Sequence, residues 1–313
     1  MDQKIGPIPT DNGRLHRIIA IEGVDGTGKE SVSKRLKELL KEEGYRVDVV
    51  SFPRYDTAVG EVIRQFQRGS YGNPTLTDPY IAGALYTLDR IDFFKPVNID
   101  MLDFLILDRS YFSNFIYQGP KFDLENGGDY GRMRDWMRTS LQAEIKQIPL
   151  MENLFKIYFL QVSDEEQQEQ MKNRKDLDMN ESNRDYQNSI RDFFFLSRSF
   201  NFWYGIRNAD VRSESWDGDP EVMELEKWYL RKVEKIQSVH TSDREKIPEA
   251  VDATARKILA DIDKNFNAED LVDRPTKINW MYMKKDEHDD STEALRSRSP
   301  ERTYSRSFDR GLR

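Results

Sequence analysis

The stretch that most constrains the fold is an apolar run that leads into a glycine-rich turn. Residues 18–21 are apolar, and Gly23, Gly26 and Gly28 follow them before Lys29. Glycine adopts backbone angles that other residues avoid, so this turn can point successive N–H groups at a polyphosphate at the start of a helix. The spacing Gly-x4-Gly-Lys between a strand and a helix predicts a P-loop, with an ordinary glycine-rich turn as the alternative.

The residues after the turn support the P-loop prediction. An apolar stripe at helical spacing follows it, formed by Val32, Leu36, Leu39 and Leu40. Lys29 adds a cation that can reach the β- and γ-phosphates of a nucleotide. A strand, a glycine-rich turn and an amphipathic helix in this order indicate an α/β protein.

Glu30 departs from the P-loop pattern. The residue after the P-loop lysine is normally a serine or threonine whose hydroxyl ligates Mg²⁺. Three interpretations of Glu30 remain open. Its carboxylate could ligate Mg²⁺ directly or through water, because carboxylate oxygens suit this ion. It could be rotated away from a site that otherwise works, or the chain could bind a nucleotide without turnover.

Composition excludes several classes of protein. The chain has no cysteine and only three histidines, so we expect neither disulfides nor a zinc site. Its net charge of −8 argues against a general nucleic-acid binder. No apolar run approaches the roughly 18 residues of a membrane span, and the N-terminus lacks the apolar core of a signal peptide. We therefore expect a soluble, cytoplasmic protein that binds neither membranes nor nucleic acid.

The sequence divides into an arm, one domain and a tail. Residues 1–15 are polar and contain two prolines and two glycines, as expected of an arm. Residues 16–264 form the predicted P-loop domain, with a lid at about 172–191 and an insertion at about 200–234. Residues 265–313 lose hydrophobic periodicity and have few large apolar residues, so we expect a disordered tail.

Charged residues follow two predicted strands. Strand 45–52 is followed closely by Arg54, while strand 104–108 ends in Asp108, next to Arg109. Ligands of open parallel sheets bind beyond the carboxyl ends of the strands, so Arg54 is placed to meet an anion. Asp108 could orient metal-bound water, and Arg109 could bridge two phosphoryl groups. A surface arginine and a structural ion pair are the respective alternatives.

Two helical segments carry further candidates. A helix predicted from Pro79 to Phe94 or Lys95 places Tyr86 and Arg90 on one face, where a ring could stack on a base and a guanidinium could reach the same ligand. The alternative has Tyr86 in the core and Arg90 in a surface ion pair.

A basic segment between two further helices contains Arg174 and Arg184. It could close over a nucleotide and supply positive charge to a transfer step. The alternative is a solvated charged hairpin.

Together these residues resemble the thymidylate kinase family of P-loop nucleoside monophosphate kinases. The resemblance covers residues 17–198 and, more weakly, 235–263. It rests on several motifs in the order of the family: the P-loop with Asp25, Phe52-Pro53-Arg54 followed by Gly60, Tyr86 with Arg90, Asp108-Arg109 with Ser113, and a hinge around Tyr186, Ile190 and Arg191.

The resemblance implies a doubly wound, five-stranded parallel sheet flanked by helices, a homodimer, and ATP-dependent phosphorylation of dTMP to dTDP with Mg²⁺. ATP would contact the P-loop residues Gly23, Val24, Asp25, Gly26, Thr27, Gly28, Lys29, Glu30 and Ser31. The substrate would contact Asp25, Arg54, Tyr86, Arg90, Arg109, Ser113, Tyr117 and Gln187. Lys29, Arg109 and a lid arginine, Arg174 or Arg184, would be catalytic. Apart from the resemblance, the carboxylate chemistry of Glu30 and Asp108 makes these two residues the candidate metal ligands.

Three features depart from the pattern of the family, namely Glu30, the length of the 200–234 insertion and the serine- and arginine-bearing tail. Two rival functions therefore stay open. The chain could be a kinase for another deoxynucleotide or a deoxynucleoside, which would share most of these motifs. It could instead be a non-catalytic nucleotide-binding relative, and Glu30 is the feature that favours this second rival.

Overall fold

The computed structural model places the glycine-rich turn at the carboxyl end of a strand in a parallel sheet. The structure describes residues 8–9, 15–16, 18–94, 102–123, 128–141, 144, 154–172, 177–199, 202, 206, 233–239 and 244–265. The chain divides into two units, Met1–Val272 and Asp273–Arg313, and all described residues belong to the first. Arg174, most of the 200–234 insertion and the tail beyond Asn265 lie outside the described residues.

Strands and helices alternate along the described chain. The strands are β1 (Ile8–Pro9), β2 (Leu15–His16), β3 (Ile18–Glu22), β4 (Val47–Ser51), β5 (Phe104–Asp108), β6 (Leu154–Gln161) and β7 (Val233–Gln237). The helices are α1 (Lys29–Glu42), α2 (Ala58–Gln67), α3 (Pro79–Phe94), α4 (Tyr111–Gln118), α5 (Tyr130–Trp136), α6 (Asp164–Lys172), α7 (Met179–Ser182), α8 (Arg184–Ser197) and α9 (Ile247–Asn265). Short helical turns follow α4 and α5 and precede α9.

The main sheet has the strand order β4-β5-β3-β6-β7, and every neighbouring pair is parallel. From the central strand β3 the chain first crosses to β4 at one edge and returns to β5 beside β3, and it then continues on the other side with β6 and β7. Ligands of open α/β sheets bind at such a reversal of strand order, beyond the carboxyl ends. The turn after β3 lies at this point. Strands β1 and β2 form a separate antiparallel pair.

Helices cover both faces of the sheet. On one face, residues such as Leu36 of α1 and Ile258 of α9 pack against alternate side chains of the strands. On the other face, Phe115 of α4 and Phe194 of α8 join a second apolar cluster. The rings of Phe194 and Phe159 stack with centroids 3.7 Å apart. Strands buried on both faces are nearly continuous apolar runs, and the predicted α/β class with a parallel sheet flanked by helices is confirmed.

For several helices and strands, the bounds expected from local sequence signals agree closely with those in the structure. Strand β5 and helix α3 have the predicted bounds, and α3 begins after Asp78, whose side chain accepts a hydrogen bond from the Tyr80 N–H group at 2.9 Å. Ser163 and Glu166 form a capping box at the start of α6. The sequence predicts a short last strand near Ile236–His240, and this strand begins earlier, at Val233. Within the described part of the chain, every helix is too short or too polar to cross a lipid bilayer.

Candidate active site

The turn between β3 and α1 has the backbone that its glycines allow. Gly26 and Gly28 have φ angles of 83° and 78°, which are unfavourable for residues with a side chain. A Cβ atom at Gly23 would lie 2.8 Å from the carbonyl oxygen of Leu160. Helix α1 starts directly after the turn, so unpaired N–H groups at its first turn face the site. The predicted anion cradle therefore has the geometry of a P-loop.

The ammonium group of Lys29 lies within this turn. Its Nζ donates a hydrogen bond to the carbonyl oxygen of Val24 at 2.8 Å and lies 3.9 Å from Oδ1 of Asp25. The side chain is only 7% exposed. Burial lowers the pKa of Lys29 to about 8, and the nearby Arg109 guanidinium acts in the same direction. This cation is placed to meet a phosphate anion, which would favour its charged form.

The lowered pKa of Lys29 predicts a pH-dependent affinity for polyphosphate. As pH rises through about 8, the free site loses the ammonium proton, so affinity for inorganic tripolyphosphate should fall by up to about tenfold per pH unit. Calorimetry at pH 7 to 9.5 measures this, and proton uptake should accompany binding above pH 8. A Lys29→Arg variant, whose cation keeps its proton, is the control. Equal pH dependence in both proteins would contradict the role of Lys29.

The carboxylate of Asp25 joins groups from several parts of the chain. It accepts hydrogen bonds from Arg109, from the Tyr117 hydroxyl at 3.0 Å and from Gln187 Nε2 at 3.0 Å. Burial alone would raise the pKa of Asp25, but the cations of Arg109 and Lys29 hold it at about 2. The structure thus brings together five residues that the sequence analysis assigned to nucleotides.

Arg109 reaches this carboxylate from an unusual backbone position. Its φ angle is 71°, in the left-handed region, directly after β5. The guanidinium donates to Asp25 and, at 3.0 Å, to the hydroxyl of Tyr117. A non-glycine residue in this region costs about 1–2 kcal/mol, and such strain is often retained at functional sites. The left-handed backbone conformation directs the side chain of Arg109 back toward the P-loop.

A cavity of about 90 Å³ opens beside Asp25. Its wall includes six of the predicted substrate-binding residues: Asp25, Tyr86, Arg90, Arg109, Ser113 and Tyr117. Gln118 and Asn114 of α4 also line it, although the sequence analysis did not single them out. Tyr86 and Arg90 therefore share a face of α3 that is directed at a ligand-sized space. The predicted alternative of a surface ion pair for Arg90 is wrong, because its ion pair is buried.

Arg54 is held at the rim of the site by two carboxylates. Its Nε donates to Asp89 at 2.9 Å, and its Nη2 donates to Asp92 at 2.6 Å. The carbonyl oxygen of Arg54 accepts hydrogen bonds from the N–H and hydroxyl groups of Thr57 at 3.0 and 2.9 Å. A Cβ atom at Gly60 would lie 1.8 Å from this oxygen, so only glycine fits there. Arg54 is thus a positioned residue, and its contact with a phosphate stays a prediction.

A buried carboxylate that the sequence analysis missed organises the start of α4. Glu22, at the end of β3, is fully buried and accepts hydrogen bonds from the Ser110 N–H group at 2.6 Å and from Ser113 Oγ at 2.6 Å. Burial raises the pKa of Glu22, although these hydrogen bonds favour its charged form. An acidic residue at the end of an apolar strand is the signal that could have revealed it. Ser113 donates its hydroxyl hydrogen bond to Glu22 while its side chain lines the cavity.

The two predicted metal ligands differ in position. Asp108 is buried beside the P-loop lysine and accepts a hydrogen bond from Ser51 Oγ at 3.1 Å, and burial raises its pKa. Glu30 is 65% exposed and pairs with Lys34 at 2.6 Å, one turn along α1. The donor chemistry of Asp108 fits Mg²⁺. Of the three interpretations of Glu30, the position of its side chain favours rotation away from the site.

The predicted lid residues are placed only in part. Arg184 is the first residue of α8 and is exposed, while Arg174 lies outside the described residues. The same helix directs Gln187 at Asp25, and Gln167 of α6 donates to the Asp25 carbonyl oxygen at 2.8 Å. Arg191 in turn donates to Gln167. Helices α6 and α8 therefore cover the P-loop, and the catalytic role of the two arginines stays a prediction.

A second space borders the P-loop on its other side. It lies between the start of α1 and α9, and it was not anticipated from the sequence. Its wall is mainly apolar and is formed by Thr27, Gly28, Val32, Val162, Gln170, Ser238, Val239, Ile247, Ala250, Val251 and Thr254. A P-loop flanked by a polar cavity and an apolar space can accommodate two ligands that meet at the phosphate cradle.

Comparisons with known proteins agree with these features. The family model described as thymidylate kinase matches residues 21–214. The probable thymidylate kinase of Methanobrevibacter smithii is 32% identical over 120 residues, which cover 37% of this chain and 59% of that protein. The thymidylate kinase of Mycobacterium tuberculosis strain H37Rv is 30% identical over 124 residues, which cover 39% of this chain and 56% of that protein.

Matches to the curated relatives are partial. Across the matched segments, the chain spans about half the length of these relatives, as in the probable thymidylate kinase of Methanopyrus kandleri, where 45% is covered at 31% identity. A solved structure of thymidylate kinase from Candida albicans has 18% sequence identity and a TM-score of 0.48, with 82% of this chain and 95% of that chain covered.

Proposed function

Because the chain belongs to the thymidylate kinase family, we propose that it transfers the γ-phosphoryl group of ATP to dTMP and forms dTDP and ADP. The observation that most supports this proposal is the convergence of Lys29 and Arg109 on Asp25 at the edge of the cavity. A P-loop cation and a second cation thus meet where the two phosphate chains would meet. Each would exchange its contact with Asp25 or the loop for a phosphate oxygen.

The proposed reaction needs no general base. The accepting phosphate oxygen of dTMP is already an anion, so catalysis consists of positioning and of stabilising charge on the transferred group. Lys29 would bind the β- and γ-phosphates of ATP, and Arg109 would bridge the donor and acceptor phosphates. Arg54 would hold the dTMP phosphate, and Arg174 or Arg184 would add charge from the lid.

The cavity would hold the nucleoside part of dTMP. Tyr86 would stack on the thymine ring, and Arg90 would reach the edge of the base. Tyr117 would pack on the face of the sugar where a 2′-hydroxyl would lie, so a deoxynucleotide is the proposed substrate. The freed carboxylate of Asp25 would accept a hydrogen bond from the 3′-hydroxyl. The apolar space beside α9 is the proposed site for the base of ATP.

Asp108 is the proposed partner of Mg²⁺, through a bound water or directly. When bound, the ion neutralises charge on the β- and γ-phosphates. In the part of the chain that the structure describes, no three or more His, Asp or Glu side chains cluster as a metal cage. Mg²⁺ in kinase sites is typically bound by one or two carboxylates plus the substrate phosphates. Asp108 supplies such a carboxylate.

A coupled assay for ADP formation tests the proposed function. Purified full-length protein is supplied with ATP, Mg²⁺ and, in separate reactions, dTMP, dUMP, dCMP, dGMP or thymidine, and dTDP is verified by chromatography. We expect the highest kcat/KM for dTMP. A clear preference for another deoxynucleotide or for thymidine would mean that this compound, and not dTMP, is the substrate. ATP binding without any turnover would favour the non-catalytic alternative. The homodimer and the cytoplasmic location stay predictions.

Glu30→Gln is expected to leave the Mg²⁺ dependence of turnover unchanged. The carboxylate is exposed and paired with Lys34, so its loss should not disturb the metal. The measurement is the Mg²⁺ concentration that gives half-maximal turnover. Asp108→Asn is the contrasting variant, and it should raise this concentration by about tenfold or more. A clear increase of this Mg²⁺ concentration in the Glu30→Gln variant would show that Glu30 ligates the metal.

A further inference from the structure

A buried carboxylate outside the phosphate site, that of Glu144, holds two residues of the cavity wall. Arg90 donates to it through Nε and, at 3.0 Å, through Nη2. Asn114 Nδ2 donates to the same carboxylate at 3.2 Å, and Thr87 Oγ1 donates at 2.5 Å. The side chains of Glu144 and Arg90 are 0% and 2% exposed. Three side chains from α3 and α4 are therefore fixed by one carboxylate.

This arrangement determines which polar atoms a ligand would meet. An ionised carboxylate only accepts hydrogen bonds, so Asn114 must turn its amide nitrogen toward Glu144. The amide oxygen of Asn114 is then the atom left to face a ligand. Arg90 uses Nε and Nη2 on Glu144, and among the described residues no acceptor is bonded to its Nη1. Arg90 and Asn114 both line the cavity.

A third polar residue belongs to this wall. Gln118 is 2% exposed and lines the same cavity. Its Oε1 has no hydrogen-bond partner within the described parts of the chain. A buried acceptor without a donor is costly. This oxygen is shielded from the cavity, so the Gln118 side chain would have to rotate to accept a hydrogen bond from a ligand. The wall thus offers a donor at Arg90 beside the acceptor of Asn114.

We propose that Glu144 is a positioning residue that sets the base preference of the site, an inference that rests on the proposed function. The edge of thymine or uracil carries an acceptor, O4, beside a donor, N3–H. The edge of cytosine carries the reverse, an N4 amino donor beside the N3 acceptor. The wall held by Glu144 complements thymine and uracil and sets donor against donor for cytosine. Asn114 Nδ2 also donates to the carbonyl oxygen of Gly83 at 3.2 Å, which favours the same amide orientation. Without the carboxylate, Arg90 loses its charged partner and Asn114 keeps only the Gly83 carbonyl, so both side chains are held less firmly and the discrimination weakens.

Glu144→Gln tests this role, because it keeps the size of the side chain and adds a donor. Affinities for dTMP and dCMP are measured by calorimetry, and kcat/KM is measured for both with saturating ATP. Wild type should favour dTMP by about 10- to 100-fold, and the variant should lose about tenfold or more of this ratio. The loss should appear in Kd and KM for the nucleoside monophosphate, with KM for ATP unchanged. An unchanged ratio overturns the proposal.

A second ion pair supplies the matched control. Arg46 donates from Nε and Nη2 to Asp103 at 3.1 and 3.0 Å, and Asp103 is 6% exposed. Neither residue lines the cavity. Asp103→Asn therefore removes the same charge beside a partly buried arginine elsewhere, and the dTMP to dCMP ratio should stay at the wild-type value. If Asp103→Asn lowers the ratio as much as Glu144→Gln does, general loosening explains the effect and the proposal is overturned.

Two further provisions keep the test decisive. If Glu144→Gln does not fold, Glu144→Asp keeps the charge beside Arg90 but withdraws it by one methylene group, so part of the ratio should be lost. An unchanged ratio in Glu144→Asp would then overturn the proposal. If wild type binds dTMP preferentially without phosphorylating it, and the variant loses the preference, the positioning role stands and the proposed function fails. If both proteins phosphorylate dTMP with equal ratios, the proposed function stands and the positioning role fails.

Discussion

Replacement of Lys29 with alanine is expected to lower turnover by about 100-fold or more while the chain stays folded. The ammonium lies inside the P-loop, 2.8 Å from the carbonyl oxygen of Val24, where it would meet charge that develops on the transferred group. Removal of one preorganised electrostatic contact typically costs about 10²- to 10³-fold in kcat. Burial lowers the pKa of Lys29, so the folded state does not stabilise its ammonium form. Loss of this charge should therefore not lower the free energy of unfolding. The coupled assay and thermal unfolding together measure both expectations.

Lys34→Ala is the matched control for this prediction. It removes the same charge from the same helix, but Lys34 is 66% exposed and pairs with Glu30 outside the turn. Its turnover should equal that of wild type. A folded Lys29→Ala variant with wild-type turnover would contradict the assignment of the turn as the phosphate site.

Two substitutions of Arg109 are expected to separate activity from stability. Both Arg109→Gly and Arg109→Ala remove the guanidinium that faces Asp25 and Tyr117, so each should lose about 100-fold or more in turnover. Arg109 has a φ angle of 71°, which glycine adopts without strain. The free energy of unfolding of the glycine variant should therefore be about 1 kcal/mol higher than that of the alanine variant.

The comparison of the two Arg109 variants needs only two measurements, turnover and urea unfolding. Because both variants lose the same ion pair to Asp25, their difference in unfolding free energy reports the backbone alone. Equal stability of the two variants would show that the left-handed conformation relaxes when the side chain is gone. Near wild-type turnover in either variant would remove Arg109 from the transfer step.

Strong local signals explain what the sequence could predict. A continuous apolar run at Phe104–Asp108 and an Asp-Pro pair before α3 specify their elements without help from the rest of the chain. The sequence pattern does not predict helix α2, because this helix is short and Gly60 weakens its helical pattern. Residue 60 is a glycine because a side chain there would clash with the carbonyl oxygen of Arg54. The start of β7 is set by its pairing with β6, where Ile157 faces Val233, and local sequence does not show this pairing.

The candidate site divides in the same way. The P-loop and the motif at Asp108 and Arg109 are contiguous, so their residues could be located from spacing alone. Glu22 and Glu144 are single carboxylates that meet their partners across 88 and 54 residues of sequence, respectively. A lone acidic residue in a chain that carries 56 of them gives no sign of such a contact. Their roles depend on tertiary packing, and only the structure reveals it.

The turn that carries Arg54 leaves its backbone little room to move. Its carbonyl oxygen is bonded to Thr57 and backed by Gly60. If Arg54 binds the dTMP phosphate as proposed, its guanidinium would have to leave Asp89 and Asp92 by rotation about side-chain bonds alone. The proposed capture of the acceptor phosphate would then be an exchange of ion pairs on a fixed backbone.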